Sequence, residues 1–372
     1  MKDAARNVEV LTETSKWPVS PLGEIVDVLD SRRKPITKRD RVSGPYPYFG
    51  ATGVLDWVED YLFDEPLVLI GEDGAKWGAG DSSAFAIDGK TWVNNHAHVL
   101  RPHRNQVVDD WLIYYLNATD LSDFISGMTV PKLNQGRLRE IPIPLPPLEE
   151  QKRIVAVLDQ AFAALDRARA HAEANLLDLD DLILSASRET FDALEAEWRP
   201  LGSLCEIYQP KTISAKEMSP DGEYVVFGAN GKIGRYHAYN HAEPQLLVTC
   251  RGATCGQINI SEPFSWITGN AMVVRPKDTK ITSDFLEHFF RDAVDWDEVI
   301  TGAAQPQITR QSLSPVLVPV PALKEQDAAS EKLGALRERV ETLILEYKTK
   351  LDELADLRQS LLQKAFSGQL TA

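Results

Sequence analysis

Apolar positions along this chain follow two regimes. Over residues 1–147 and again over 195–321, short apolar runs alternate with Gly, Asn, Asp and Pro. LVLIG (Leu67–Gly71), WVNNHAHVLRP from Trp92, QLLVTC (Gln245–Cys250) and AMVVRP from Ala271 are such runs. They predict β-strands joined by turns. Helical segments are expected near Trp111–Asn117 and Phe285–Phe290. Extended stretches with regular prolines follow at Ile141–Pro147 and Val316–Ala322. Proline fixes φ yet is tolerated in a first helical turn, so each stretch ends one element and launches the next.

The second regime is helical. Ile154, Leu158, Ala161, Leu165, Ala168, Ala172, Asn175, Leu179, Leu182 and Ala186 step by four and three. Ala329, Leu333, Leu336, Val340, Leu343, Tyr347, Lys350, Leu354, Leu357 and Leu361 repeat that register. A sustained heptad seam predicts a coiled coil, and the simplest partner for each helix is the other. Gln151–Ser187 would form a helix roughly 55 Å long at 1.5 Å per residue. Asn175 and Lys350 interrupt the seam at the same register. A polar seam residue either fixes orientation at some cost in stability or marks an opening to solvent.

These regimes recur because the chain contains itself twice. PLGEI at Pro21 returns as PLGSL 179 residues later, and YPYFGATGVLD at Tyr46 returns as YVVFGANGKIG at Tyr224. SGMTVPKLNQGRLREIPIPLPPLEEQ at Ser126 returns as TGAAQPQITRQSLSPVLVPVPALKEQ at Thr301. The order is kept and the spacing drifts by only a few residues. A unit this long is not a solenoid or propeller repeat. It is a tandem duplication of an α/β domain followed by a long helix, an α+β chain overall. The expected divisions are 1–147 (first domain), 148–194 (first helix), 195–321 (second domain) and 322–372 (second helix).

Composition narrows the chemistry. The 372 residues carry 55 acids against 40 bases, a net charge of −15, which by itself suggests no nucleic-acid partner. Three cysteines in such a chain are no disulfide framework, and Cys250 and Cys255 are expected to pack or sit in a loop. The N-terminus lacks the apolar core of a signal peptide, and no run approaches bilayer length, so a cytoplasmic protein is expected. There is no GxxxxGK[ST], no GxGxxG opening a helix and no HExxH. Gly71–Gly80 is glycine-rich without phosphate-loop spacing and reads as a turn. The only Pro-Pro, Pro146-Pro147, precedes Leu148 and forms no amino-methyltransferase motif. His96 and His98 read as turn or surface histidines. No metal site is expected, and the chain reads as non-catalytic.

Two domains, each closed by a proline-rich stretch, a Glu-Gln helix start and a long helix, resemble the specificity subunit of a type I restriction–modification system. The resemblance runs from about Trp17 to Leu370. Its most specific pieces are IPIPLPPLEEQKRIV (Ile141–Val155) and LRQSLLQKAFSGQL (Leu357–Leu370). VPVPALKEQDAA is a weaker copy, with Ala322 replacing the second proline. The resemblance implies two target recognition domains, each reading half of a bipartite double-stranded DNA site. It implies helices paired antiparallel as a spacer, spanning about 1.6 turns of B-DNA. It also implies two methylation subunits and a restriction subunit as partners. S-adenosylmethionine, ATP and Mg²⁺ would belong to those partners, with no cofactor on this chain. A coiled-coil scaffold, or the DNA-binding subunit of a methyltransferase-only complex, is the alternative reading.

Base reading in a groove needs Arg, Lys, Asn, Gln or Thr on exposed loops, and phosphate contacts need Lys or Arg. SRRKPITKRDR (Ser31–Arg41) is the densest basic stretch, with Arg32, Arg33, Lys34, Lys38, Arg39 and Arg41 against Asp40. A solvated charged loop is the plain alternative. Its thinner counterpart carries Lys211 and Lys216. The loop after FGATG or FGANG offers Thr52 in the first domain and Asn230, Lys232 and Arg235 in the second. CRGATCG offers Arg251 and Thr254, and its counterpart Lys76. TVPKLNQGR and QPQITRQ offer Lys132, Asn134 and Arg137, then Gln305, Gln307 and Arg310.

Charge then reads differently by segment. The four divisions carry −5, −5, −4 and −1 in chain order. The acid excess is spread over every segment, the helices supplying −6 of the −15, so a basic DNA-facing groove must be local. Weak DNA binding by the chain alone is expected.

Overall fold

The proline-punctuated stretches are strands. Pro142–Pro144 pairs antiparallel with Val19–Pro21, and Leu317–Val320 pairs with Glu197–Pro200. These are two-stranded ribbons, edges at which a missing proline N–H costs no ladder bond. The computed structural model describes residues 16–127, 129–302 and 305–370.

Each duplicated domain builds the same pair of sheets. In the first, an antiparallel sheet runs Val26–Val28, Ala97–Pro102, Leu67–Gly71, Ala84–Ile87. In the second, the same order is Cys205–Tyr208, Ala271–Pro276, Leu246–Thr249, Ile258–Ile260. LVLIG is buried along its whole length, as its unbroken apolar run requires. The other sheet contains the repeated FGATG or FGANG hairpin. Tyr46–Gly50 pairs with Gly53–Val58, and Tyr224–Gly228 with Gly231–Tyr236. Gly53 (φ 133°) and Gly231 (φ 102°) close these turns in backbone that side chains disfavour. The expected helical segments are Asp109–Ala118 and Ser283–Asp292.

The long helices run Leu148–Asp192 and Leu323–Ser367, 45 residues each. Most seam positions are buried or half-buried, whereas Asn175, Leu182, Lys350 and Leu357 are exposed. Packing divides the chain across these helices rather than at their starts. One compact unit comprises residues 1–172 and 349–372, the other 173–348. The reason is that helix ends complete the domain cores. In the first unit Ile154, Leu158, Phe162, Leu362, Ala365 and Phe366 share a core with Trp111 and Tyr115. Phe366 meets Trp111 and Tyr115 edge-on, at 4.8 and 5.1 Å. In the second unit Phe191 lies edge-on to Phe285 and Phe289, and Ala329 and Leu333 join the same core.

The helices are antiparallel within each unit. In the second, Asn175 donates to the Tyr347 hydroxyl at 2.9 Å, while Ser187 and Arg337 both bind Asp292. In the first, Arg358 pairs with Asp166 at 2.9 Å and covers the Phe162 ring. The helix starts are pinned by the Glu-Gln glutamines, both fully buried. Gln151 accepts from the Val108 amide and donates to the carbonyls of Gln106 and Pro146. Gln326 makes the same three bonds, with the Thr282 amide and the Lys280 and Pro321 carbonyls.

Candidate nucleic-acid interface

The basic loop of the first domain is anchored through its backbone. Trp92 donates to the Lys34 carbonyl at 2.6 Å, and the Ile36 amide donates to the Tyr48 hydroxyl at 3.0 Å. Arg41 stacks on the Tyr48 ring and pairs with Asp56. Arg32 covers the Phe63 ring, donates to the Leu62 carbonyl and meets Glu65 at 3.4 Å. This leaves Lys34, Lys38 and Arg39 at the surface, with the Arg39 side chain 88% accessible beside Asp40.

Arg33 is turned inward. Its side chain is only 12% exposed and binds Asp30, Glu72 and the Ala97 carbonyl. Lys132 meets the other Glu72 oxygen at 2.8 Å. His98, expected at the surface, is wholly buried between Asp30 and the Leu133 carbonyl. The correction has a simple cause. His98 lies one residue into the strand Ala97–Pro102, on a face covered by the 132–133 segment. His96 does sit outside the strand, half-exposed and bonded to Asp73. Burial works against the Asp30 and Glu72 carboxylates. Hydrogen bonds from His98 to Asp30, and from Lys132 and Arg33 to Glu72, outweigh it, and both are held below their ordinary values.

The remaining first-domain candidates surround this cluster. Lys76 is exposed on the loop after Leu67–Gly71. Asn134 donates to the Ser126 hydroxyl at 2.5 Å. Arg137 is exposed, bound to Glu140 and the Asp123 carbonyl. An antiparallel bridge between Asp73 and Lys132 brings the two loops together. Thr52 stands exposed in the hairpin turn.

The second domain repeats the arrangement with other chemistry. Trp266 donates to the Lys211 carbonyl as Trp92 does to that of Lys34, and Lys211 and Lys216 are exposed. Thr254 donates to the Asn230 side chain at 2.6 Å, joining two candidate loops. Arg251 bridges Gln307 through the backbone, as Asp73 bridges Lys132. Arg251, Gln305, Gln307 and Arg310 are exposed. Lys232 is paired with Glu262, and Arg235 donates to the carbonyls of Gly222 and Glu223. In each unit the loop after the central strand and the loop before the proline ribbon therefore meet. Sequence reasoning found these loops but missed Asp30, His98 and Gln135 at their junction, because nothing in local spacing marks an inward polar residue.

Other chemistry is limited. Among the described residues, Asp30, Glu72 and His98 are the one trio with metal-ligand proximity, and Arg33 and Lys132 already engage its carboxylates. Cys205 and Cys250 are buried and Cys255 half-buried; burial pushes the Cys205 thiol up to about 12, far from a reactive thiolate. No described helix is long and apolar enough to cross a membrane.

Comparison with known proteins adds an independent finding. Residues 14–174 and 194–351 each match the type I restriction modification DNA specificity domain. A putative type I restriction enzyme specificity subunit of Haemophilus influenzae is 28% identical over 92% of both chains. The EcoDI specificity subunit of Escherichia coli is 23% identical over 96% of this chain and 89% of its own. Two solved structures share the fold. One is a chain from a type I restriction–modification system (TM-score 0.72, 21% identity, 94% of this chain and 97% of that one). The other is the HsdS subunit of Thermoanaerobacter tengcongensis (TM-score 0.57, 19% identity, 95% and 97%).

Proposed function

This chain belongs to the type I restriction modification DNA specificity family, and we propose from that membership how its two domains divide the work. Each domain reads one short half of a bipartite double-stranded DNA site through its junction of loops. The observation that carries this reading is repetition with variation. The same scaffold brings the same two loops together twice, by the Asp73–Lys132 and Arg251–Gln307 bridges. The side chains they present differ: Lys76, Asn134 and Arg137 in one, Arg251, Thr254, Gln307 and Arg310 in the other. Different donors and acceptors on one scaffold are what reading two different sequences requires.

The chain positions rather than catalyses. Two methylation subunits dock on the helices and domains and supply S-adenosylmethionine chemistry. A restriction subunit supplies the ATP- and Mg²⁺-dependent cleavage. The exposed helix faces, with Leu177 and Leu345 at 72% and 67% accessibility, are where such a partner would dock.

Mapping adenine methylation in the source genome, with and without this gene, tests the reading. A two-part motif that loses methylation on deletion is the expected result, and it gives the target as well. Unchanged methylation at every motif overturns it.

A further inference from the structure

Outside the exposed loops, the first domain carries a buried charged cluster that DNA reading does not use directly. Its members come from four places in the chain. Asp30 and Arg33 stand at the base of the basic loop, and Glu72 follows the central strand. His98 lies on the neighbouring strand, and Lys132 opens the second candidate loop.

The bonding is directional. His98 has no exposed surface. One ring nitrogen lies 2.6 Å from an Asp30 oxygen and the other 2.6 Å from the Leu133 carbonyl. A carbonyl oxygen only accepts. The Asp30 carboxylate also accepts from the Val99 amide and the Gln135 side chain, and it faces Arg33 at 3.3 Å. His98 therefore joins the backbone of one loop to the base of the other. Glu72 adds two ties. Its carboxylate holds Arg33 and Lys132, and its carbonyl accepts from the Leu133 amide at 2.8 Å.

The second domain closes the same loop without this charge. By the repeat, Gln209, Cys250, Met272 and Gln307 stand where Asp30, Glu72, His98 and Lys132 stand. There the Ile308 amide donates to the Cys250 carbonyl, and Gln209 donates to the Cys250 sulfur and the Gly269 carbonyl. Closing the loop thus needs no buried ions. A buried ionic cluster is a poor source of stability compared with apolar packing, but each member enforces a fixed direction.

We propose that Asp30, Arg33, Glu72 and His98 are positioning residues that latch the 132–137 loop against the 30–41 loop and thereby set base selection at one half-site. The proposal rests on the reading that these loops face DNA. His98 and Glu72 act through the loops they hold, not by touching a base.

The test uses the complete complex of this chain with its methylation subunits. Adenine methylation rates are measured on the cognate duplex and on duplexes carrying single base changes in either half. The variants are His98→Met, which installs the second domain's residue, and Glu72→Gln. Both are assayed at a temperature where circular dichroism shows them folded. Discrimination against wrong bases is expected to fall about tenfold or more in one half-site and to stay unchanged in the other. Folded variants that keep full discrimination in both halves overturn the latch, as does equal loss in both. If either variant fails to fold, Gln135→Ala removes only the surface bond to Asp30 and must relax the same half-site more mildly. No change there overturns the proposal. Discrimination by the wild-type complex that depends on added Mn²⁺ or Zn²⁺ reassigns the trio to a cation and also overturns it. A wild-type complex with no half-site preference overturns the underlying reading, and the latch with it.

Discussion

Gln151 shows what a single side chain does here. Its amide is fully buried and makes three backbone bonds, two of them next to the start of the Asp109–Ala118 helix. Leucine at this position leaves a buried amide and two carbonyls unpaired, at a cost of about 1–3 kcal/mol for each group left without a partner. Gln151→Leu and Gln326→Leu should each lower the melting temperature clearly, as calorimetry would show. Unchanged melting would mean that water replaces the missing bonds. The Glu-Gln pair was legible in the sequence as a helix start, but its partners Val108 and Gln106 were not, because they lie 43 and 45 residues away. The carboxylates of the latch give a second prediction at this scale. Asp30 and Glu72 are depressed in the folded state, so their contribution is fully present above their ordinary values. It is lost as pH falls through the lower folded values. Gln209 and Cys250, in the equivalent places, bring no carboxylate. Acidification toward about pH 3 should therefore speed hydrogen exchange at Leu133 before Ile308. Simultaneous loosening of both loops would count against it.

At the scale of elements, the basic loop and the helices carry the clearest tests. The structure narrows the loop to Lys34, Lys38 and Arg39, since Arg33 is bound inside and Arg32 covers Phe63. Reversing those three charges should weaken DNA binding by the assembled complex. It should also flatten the salt dependence by about 0.9 in logarithmic slope for each phosphate that is no longer neutralised. An unchanged slope removes the loop from the interface. The helix ends belong to the domain cores. Phe366→Ala empties an aromatic site against Trp111 and Tyr115 and should cost about 3–5 kcal/mol in chemical denaturation. The heptad pattern was legible throughout, because 3.5-residue periodicity is local. Its departures were not. Asn175, Leu182, Lys350 and Leu357 are exposed despite their register, and Asn175 still reaches across to Tyr347.

For the whole molecule, the proposed assembly rests on family membership, and the exposed helix faces are where it is tested. Leu177 and Leu345 are exposed apolar residues within the second unit. Leu177→Glu with Leu345→Glu should leave the isolated chain folded and prevent its co-purification with the methylation subunit. Co-purification of the double variant at wild-type yield would place the partner elsewhere. The same experiment separates a subunit of a larger enzyme from a self-contained scaffold, which needs no such partner. The helices carry −6 of the −15 charge, which fits this division, since acidic helix faces do not oppose local basic loops.

The sequence by itself determined the duplication, the strand–ribbon–helix plan of each copy and the family. Those features are written in local periodicity and in segments that recur about 175 residues apart. It also marked the loops that the proposed reading assigns to DNA. Only the tertiary structure decided which basic residues remain available. Arg33 and Lys132 look like Lys34 and Lys38 in the sequence, yet both are committed to Glu72. The reason is physical. The partners Asp30, Glu72, His98 and Leu133 come together only when strands from distant parts of the chain pair, and charge matching depends on that proximity.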